Sequence, residues 1–273
     1  MVELGGVSRP SFYRFDEEGP AGTDRDIDLR DAIQRVALQW PSYGRPRITA
    51  ELKRQGWTVG PNRVRRIMRE DSLLCVRKRK FVVTTDSNHD RKVYPNLARA
   101  MELSGINQLW VADITYIRLE TEFVFLAVVI DAFSRRVIGW ALDRTLEDDL
   151  PIKALRLALE QRQPAPGLVH HSDRGSQYAS YDYTDLLKAR GCQISMRHKA
   201  SPWENGGCES WMKTLKYEEV FRQAYRDLAE ARTCLERFID KVYNQQRLHS
   251  ALGYRPPAEF EHALLAQKPA APG

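Results

Sequence analysis

The chain has 273 residues, 42% of them apolar and 29% charged, which is enough to bury a sizeable core and excludes wholesale disorder. No apolar run reaches the roughly 18 residues of a membrane-spanning helix, the first residues carry no apolar stretch of signal-peptide length, and none of the 4 cysteines forms a CxxC pair; a zinc ribbon, a disulfide scaffold and secretion are disfavoured, and a cytoplasmic location is expected. The net charge of +6 is concentrated, because residues 41–100 hold 15 Lys or Arg against 5 Asp or Glu, a balance suited to a polyanion.

Residues 1–24 mix Gly, Pro and acids and read as a lead-in. From Asp28 to Trp40 the apolar residues Leu29, Ile33, Val36, Ala37 and Trp40 follow helical spacing, and Pro41 ends the helix. Two short helices follow. Ile48 and Leu52 lie four apart in the first, GWTVGP (56–61) is a turn, and Val64, Ile67 and Met68 give the apolar face of the second. Arg63, Arg65, Arg66 and Arg69 fill the rest of that second helix. This is the sequence shape of a helix-turn-helix with arginines placed for phosphates or base edges. A small helical bundle with a charged exterior would look the same. Residues 76–90 read as a linker.

The character then changes. LWVADITYI (109–117), EFVFLAVVIDAF (122–133) and RRVIGWALD (135–143) are apolar, β-rich runs separated by gaps short enough for hairpins. Leu146–Gln161 has helical periodicity, LVHHSD (168–173) is a short strand, and Tyr181–Arg190 is a helix stopped by Gly191. QISM (193–196) is a strand, and Glu204–Arg222 and Ala229–Tyr243 are helices. Three meander strands followed by alternating helices and strands predict a mixed α/β sheet covered by helices. The expected divisions are 1–40, a lead-in and helix; 41–90, a basic DNA-binding unit and linker; 105–225, the α/β core; and 226–273, a C-terminal helix and tail.

Asp113 falls inside an apolar strand, where a carboxylate needs compensation. Asp173 follows a strand and enters a Gly-containing loop, the end of a sheet where ligands bind, although it could equally cap a turn. Glu209 lies on the long helix. Three hard oxygen ligands with no His or Cys nearby suit Mg²⁺. Glu209, Lys213 and Lys216 share a helix face, which is either a ligand beside two phosphate-seeking ammonium groups or an ordinary solvated stripe. His170 and His171 flank Asp173 in sequence, and a structural role is the expectation for both.

The spacing of Asp113, 59 residues, Asp173, 35 residues and Glu209 resembles the D,D(35)E arrangement of retroviral integrases and many bacterial transposases. The surrounding text, WVADITYI (110–117), VVIDAFSRRVIGW (128–140), HSDRGSQYAS (171–180), GCQISM (191–196), ENGGCESWMKTLKYE (204–218) and YNQQRLHSALGYRPPAEF (243–260), resembles the OrfB protein of the insertion-sequence-three family of transposases. YGRPRITAELKRQG (43–56) resembles the helix-turn-helix preceding the core in that family.

The resemblance implies a ribonuclease-H-like five-stranded core behind a small all-α domain, and Mg²⁺ or Mn²⁺, as two ions, on Asp113, Asp173 and Glu209. It also implies that Lys216 contacts the terminal DNA. The activity implied is cleavage at transposon ends and strand transfer. The partners implied are terminal-repeat and target DNA, further copies of the chain, and an upstream OrfA product or frameshift fusion. Where the family has Asp-Asn-Ala, this chain has Glu204, Asn205 and Gly206; the spacing and the following Ser210 favour Glu209 over Glu204 as the third ligand. A structure-selective nuclease on the same fold and a decayed DNA-binding regulator are the alternatives.

Overall fold

The computed structural model describes residues 26–73, 92–197 and 206–267; the lead-in, the linker at 76–90 and Glu204 lie outside these. The chain divides into two compact units, with the boundary between Val76 and Arg77.

The first unit contains α1 (Ile27–Gln39), α2 (Arg45–Arg54) and α3 (Pro61–Glu70). Gly44 and Gly60, both extended, precede α2 and α3, and Pro46 and Pro61 sit in their first turns, where a missing N–H costs nothing. Gly56, at φ +90°, makes the turn after α2. Leu29, Ile33 and Val36 of α1 are buried together with Ile48, Leu52, Val64, Ile67 and Met68. The helix expected as part of a separate lead-in is therefore one wall of the basic unit, its apolar stripe buried against α2 and α3. It ends at Gln39 rather than Trp40, whose ring stacks on Tyr43 at 5.0 Å.

In the second unit, β1 (Leu109–Arg118), β2 (Phe123–Asp131), β3 (Val137–Asp143), β4 (Val169–Ser172) and β5 (Gln193–Met196) form one sheet in the order β3-β2-β1-β4-β5. The meander pairs are antiparallel, whereas β1/β4 and β4/β5 are parallel. This is the ribonuclease-H-like mixed sheet that the resemblance implied.

Helices cover both faces. α4 (Asp149–Arg162) and α5 (Tyr181–Ala189) pack with Trp110, Ala112, Ala127 and Val129. α6 (Gly206–Glu218) and α7 (Leu228–Glu236) pack with Leu109, Val111, Val128 and Ile130 on the other face. β3 and α4 approach so closely that a Cβ on Gly139 would collide with the Ala154 carbonyl and lie 2.8 Å from the Ala158 nitrogen.

Several boundaries differ from expectation. α4 begins at Asp149, with Leu146 left exposed. The helix expected to run to Arg222 ends at Glu218, and a single 3₁₀ turn, Val220–Arg222, follows it. α7 starts where the Asp227 carboxylate accepts the Glu230 N–H at 2.9 Å, and Glu230 reaches back to the Arg226 N–H at 2.8 Å. It continues as π-helix through Arg237–Gln246. The C-terminal segment does not stand apart from the core, because Ala231, Leu235, Phe238, Ile239 and Tyr243 are buried in the same cluster as β1 and α6. α8 (Pro257–Gln267) closes the described chain.

Candidate active site

Strand alternation puts Asp113 on the same side of β1 as Val111, the side covered by α6. β4 lies alongside in parallel, pairing Val111 with His171, so the chain leaves β4 at Asp173 close to Asp113. Two acids sixty positions apart thus meet at neighbouring strands. The Ile114 N–H donates to Asp113 Oδ1 at 2.9 Å. The protein packed around this carboxyl pushes its pKa up to about 7, and the charge of Asp173 adds to the shift, with Glu209 a smaller contribution in the same direction; Arg197 opposes it.

Asp173 is buried and accepts the Gly175 N–H through Oδ1 at 2.8 Å. A Cβ on Gly175 would sit 2.9 Å from that oxygen, so the loop needs glycine to wrap the carboxylate this tightly. Asp173 Oδ2 faces Arg197 Nη2 at 3.5 Å.

Glu209 lies in the first turn of α6, is partly exposed, and faces Lys213 Nζ at 3.5 Å. Trp211 and Leu215, on the other side of the helix, are buried and fix its rotation against the sheet. Lys216 places its ammonium 4.8 Å from the centre of the Tyr116 ring on β1. Burial lowers its pKa, and the nearby Asp113 charge resists that. Asp113 thus lies within electrostatic reach of Asp173, Glu209 and Lys216. Of the two neighbouring acids, Asp173 acts on Asp113 more strongly than Glu209 does. Among the described residues, no three His, Cys, Asp or Glu side chains are grouped tightly enough to clasp a metal ion in this conformation.

The surrounding polar groups are supports. His171 Nδ1 and Ser195 Oγ are 2.8 Å apart, and Ser195 Oγ also accepts the Leu97 N–H at 2.8 Å. His170 Nε2 meets the Tyr183 hydroxyl at 3.0 Å, and burial followed by the neighbouring His171 pushes its pKa down to about 3, so it stays neutral. Cys208 is fully buried, and burial raises its thiol pKa.

In the first unit, the arginines of α3 differ. Arg63 Nε and Arg66 Nη2 bind the two oxygens of Asp26, at 2.9 Å and 2.6 Å, and Arg66 also pairs with Glu70 at 3.1 Å. Arg65 and Arg69 are exposed and make no ion pair among the described residues. Arg30 on α1 spans to Glu70 at 2.7 Å and to Asp71.

The residue that sequence reasoning passed over is Arg197. A signal was present: in the parallel register Ser172 pairs with Met196, so the next positions, Asp173 and Arg197, leave adjacent strands side by side.

The comparisons agree with this architecture. Models of the integrase core domain match residues 104–202 and 190–257, and an HTH-like domain model matches 23–81. A 31 kDa protein of insertion element IS600 from Shigella sonnei is 35% identical over 95% of this chain and 97% of its own length. The transposase of IS904 from Lactococcus lactis is 34% identical over 80% and 87%. The InsF transposase of IS3A from Escherichia coli K12 is 36% identical over 82% and 78%. Among solved structures, the HTLV-2 integrase catalytic core domain in complex with magnesium aligns over 57% of this chain and 97% of its own, at 16% identity and a TM-score of 0.43. With identities above one third across most of its length and an integrase core behind an HTH-like unit, the chain belongs to the IS3-family transposases.

Proposed function

We propose that Asp113, Asp173 and Glu209 hold Mg²⁺ or Mn²⁺, as two ions, and that the chain cuts transposon ends and joins them to target DNA. The observation that carries this reading is the parallel pairing of β1 and β4, which sets Asp173, one residue past β4, close to Asp113, whose carboxyl is pushed up to about 7. Such a pair calls for positive charge. Its donors are all carboxylate oxygens, which suits a hard cation. When bound, a pair of these ions favours charge on the attacking and leaving oxygens of a phosphodiester.

The chain's own residues supply the positioning. Gly175 fixes one oxygen of Asp173, and Trp211 and Leu215 set the angle of α6 and hence of Glu209. Closing the three acids on the cation requires Glu209 to leave Lys213. Lys213 and Lys216 then face the phosphates of the terminal nucleotides. In the first step water displaces a 3′ oxygen at the element's end; in the second that freed 3′ hydroxyl displaces a 3′ oxygen of the target strand. Neither step needs a protein nucleophile, so Cys208 and the serines have no part in bond making. The α3 arginines Arg63, Arg65, Arg66 and Arg69 hold duplex DNA, mainly through phosphates. The acting form is an oligomer on DNA, assisted by an upstream OrfA product or a fusion to it.

The test is incubation with a terminal-repeat duplex and Mg²⁺ or Mn²⁺, with products sized on a denaturing gel. Asp113→Asn, Asp173→Asn and Glu209→Gln each abolish cleavage and joining while end binding persists. A pre-cleaved 3′-hydroxyl end that is never joined, beside active cutting, would identify a nuclease instead. Binding without either reaction in the native chain would identify a regulator.

A further inference from the structure

We infer that Arg197 is a resident cation of the carboxylate pair, which a divalent ion must displace; this rests on the metal reading above. Asp173 has two oxygens with different neighbours. Oδ1 is committed to the Gly175 N–H at 2.8 Å, and Oδ2 faces the Arg197 guanidinium at 3.5 Å. Arg197 is also the one positive side chain among the leading influences on Asp113.

Its main chain is pinned on both sides. The Arg197 N–H donates to the Ser172 carbonyl at 3.0 Å, and its own carbonyl accepts from Arg174 Nε at 2.8 Å. The backbone is thus held beside β4 while the side chain is the movable part. Glu209 repeats the arrangement on α6, where Lys213 faces its Oε2 at 3.5 Å. Two of the three acids are therefore already matched with a long cationic side chain.

A divalent ion and the Arg197 guanidinium compete for the same Asp173 oxygen. Occupancy by one lowers affinity for the other, as linkage requires. The displaced guanidinium stays at the mouth of the site, where the charge it can next meet is a DNA phosphate. Arg197 is thus a positioning residue that keeps the acid pair neutralised until an ion arrives.

The experiment is Mn²⁺ titration of the full chain by calorimetry and electron paramagnetic resonance, without DNA, for the native protein, Arg197→Gln, Arg197→Lys and Asp113→Asn. Thermal melts in EDTA at pH 8 run in parallel. Arg197→Gln should bind Mn²⁺ about fivefold tighter or more, the lower end of typical coupling, and should melt lower in EDTA, with the loss recovered by Mn²⁺. Arg197→Lys, which keeps the charge, should stay near the native affinity. An arginine with a merely structural role would give unchanged or weaker Mn²⁺ binding in Arg197→Gln, and that result overturns the inference. If Mn²⁺ binds and Asp113→Asn removes it, yet Arg197→Gln has no effect, this inference alone falls. If no variant shows Mn²⁺ binding that depends on Asp113, the metal reading falls and takes the inference with it.

Discussion

Asn244 completes the open edge of the sheet by binding Val137. Its Oδ1 accepts the Val137 N–H at 3.0 Å and its Nδ2 donates to the Val137 carbonyl at 3.0 Å, so one carboxamide does the work of a paired strand residue. β3 is an edge strand, and these groups are buried. Asn244→Leu should leave a donor and an acceptor stranded and cost about 2 kcal/mol, the scale for buried unsatisfied groups. Urea unfolding measures it; an unaltered midpoint would mean that water replaces the amide there.

The second prediction concerns pH. The folded pKa of Asp113 is about 7, raised above the ordinary carboxylate value of 3.8. Between those two values the folded chain holds a proton that the unfolded chain has lost. Stability in EDTA should therefore fall as pH rises from about 4 to about 7, by a few kcal/mol at most. Asp113→Asn should flatten that part of the profile and melt higher than the native chain at pH 8. Melts in EDTA across this range decide it, and a native-like slope in the variant would contradict the assignment.

The α3 arginines should separate in a salt titration. Arg65→Ala and Arg69→Ala should each lower the slope of log K against log salt by about one, with melting unchanged. Arg63→Ala and Arg66→Ala should also lower the melting temperature, because each leaves the Asp26 carboxylate short of a partner. Equal slopes for all four variants and the native chain would remove α3 from the DNA interface.

A buried ion pair gives the fourth prediction. Arg247 Nε and Nη2 meet the two oxygens of Glu218 at 2.8 Å each, with side-chain exposures of 4% and 10%. Arg247→Met should cost about 3 kcal/mol by leaving a buried charge unpaired, and adding Glu218→Gln should recover part of that loss. A double-mutant cycle with zero coupling would show that the pair contributes nothing.

The elements most legible in sequence were those whose signal is local. β1 to β3 announced themselves by apolar runs, and α2 and α3 by the helical spacing of Ile48 and Leu52 and of Val64, Ile67 and Met68. What could not be read locally depends on register or on packing between distant segments. Arg197 acquires its meaning only when Ser172 pairs with Met196, and α1 only when Leu29 and Ile33 find Ile67 and Met68. The end of α6 at Glu218 and the π-helical continuation of α7 reflect how these segments seat on the sheet, which helical periodicity does not encode.

The sheet order also bears on when danger from this chain begins. β1 to β3 are successive hairpin strands and can pair as soon as they leave the ribosome, but β1 must wait for β4, about sixty residues later, to gain its parallel neighbour. The face that carries Asp113 then stays uncovered until α6 and α7 are made, since Trp211, Leu215, Leu235 and Phe238 supply its other half. A nascent chain that holds both aspartates but ends before α6 therefore has neither Glu209 nor a closed core. The proposed third ligand and the cover over the Asp113 face both arrive late in synthesis, whereas a chain ending between α6 and α7 holds all three acids on a half-covered sheet.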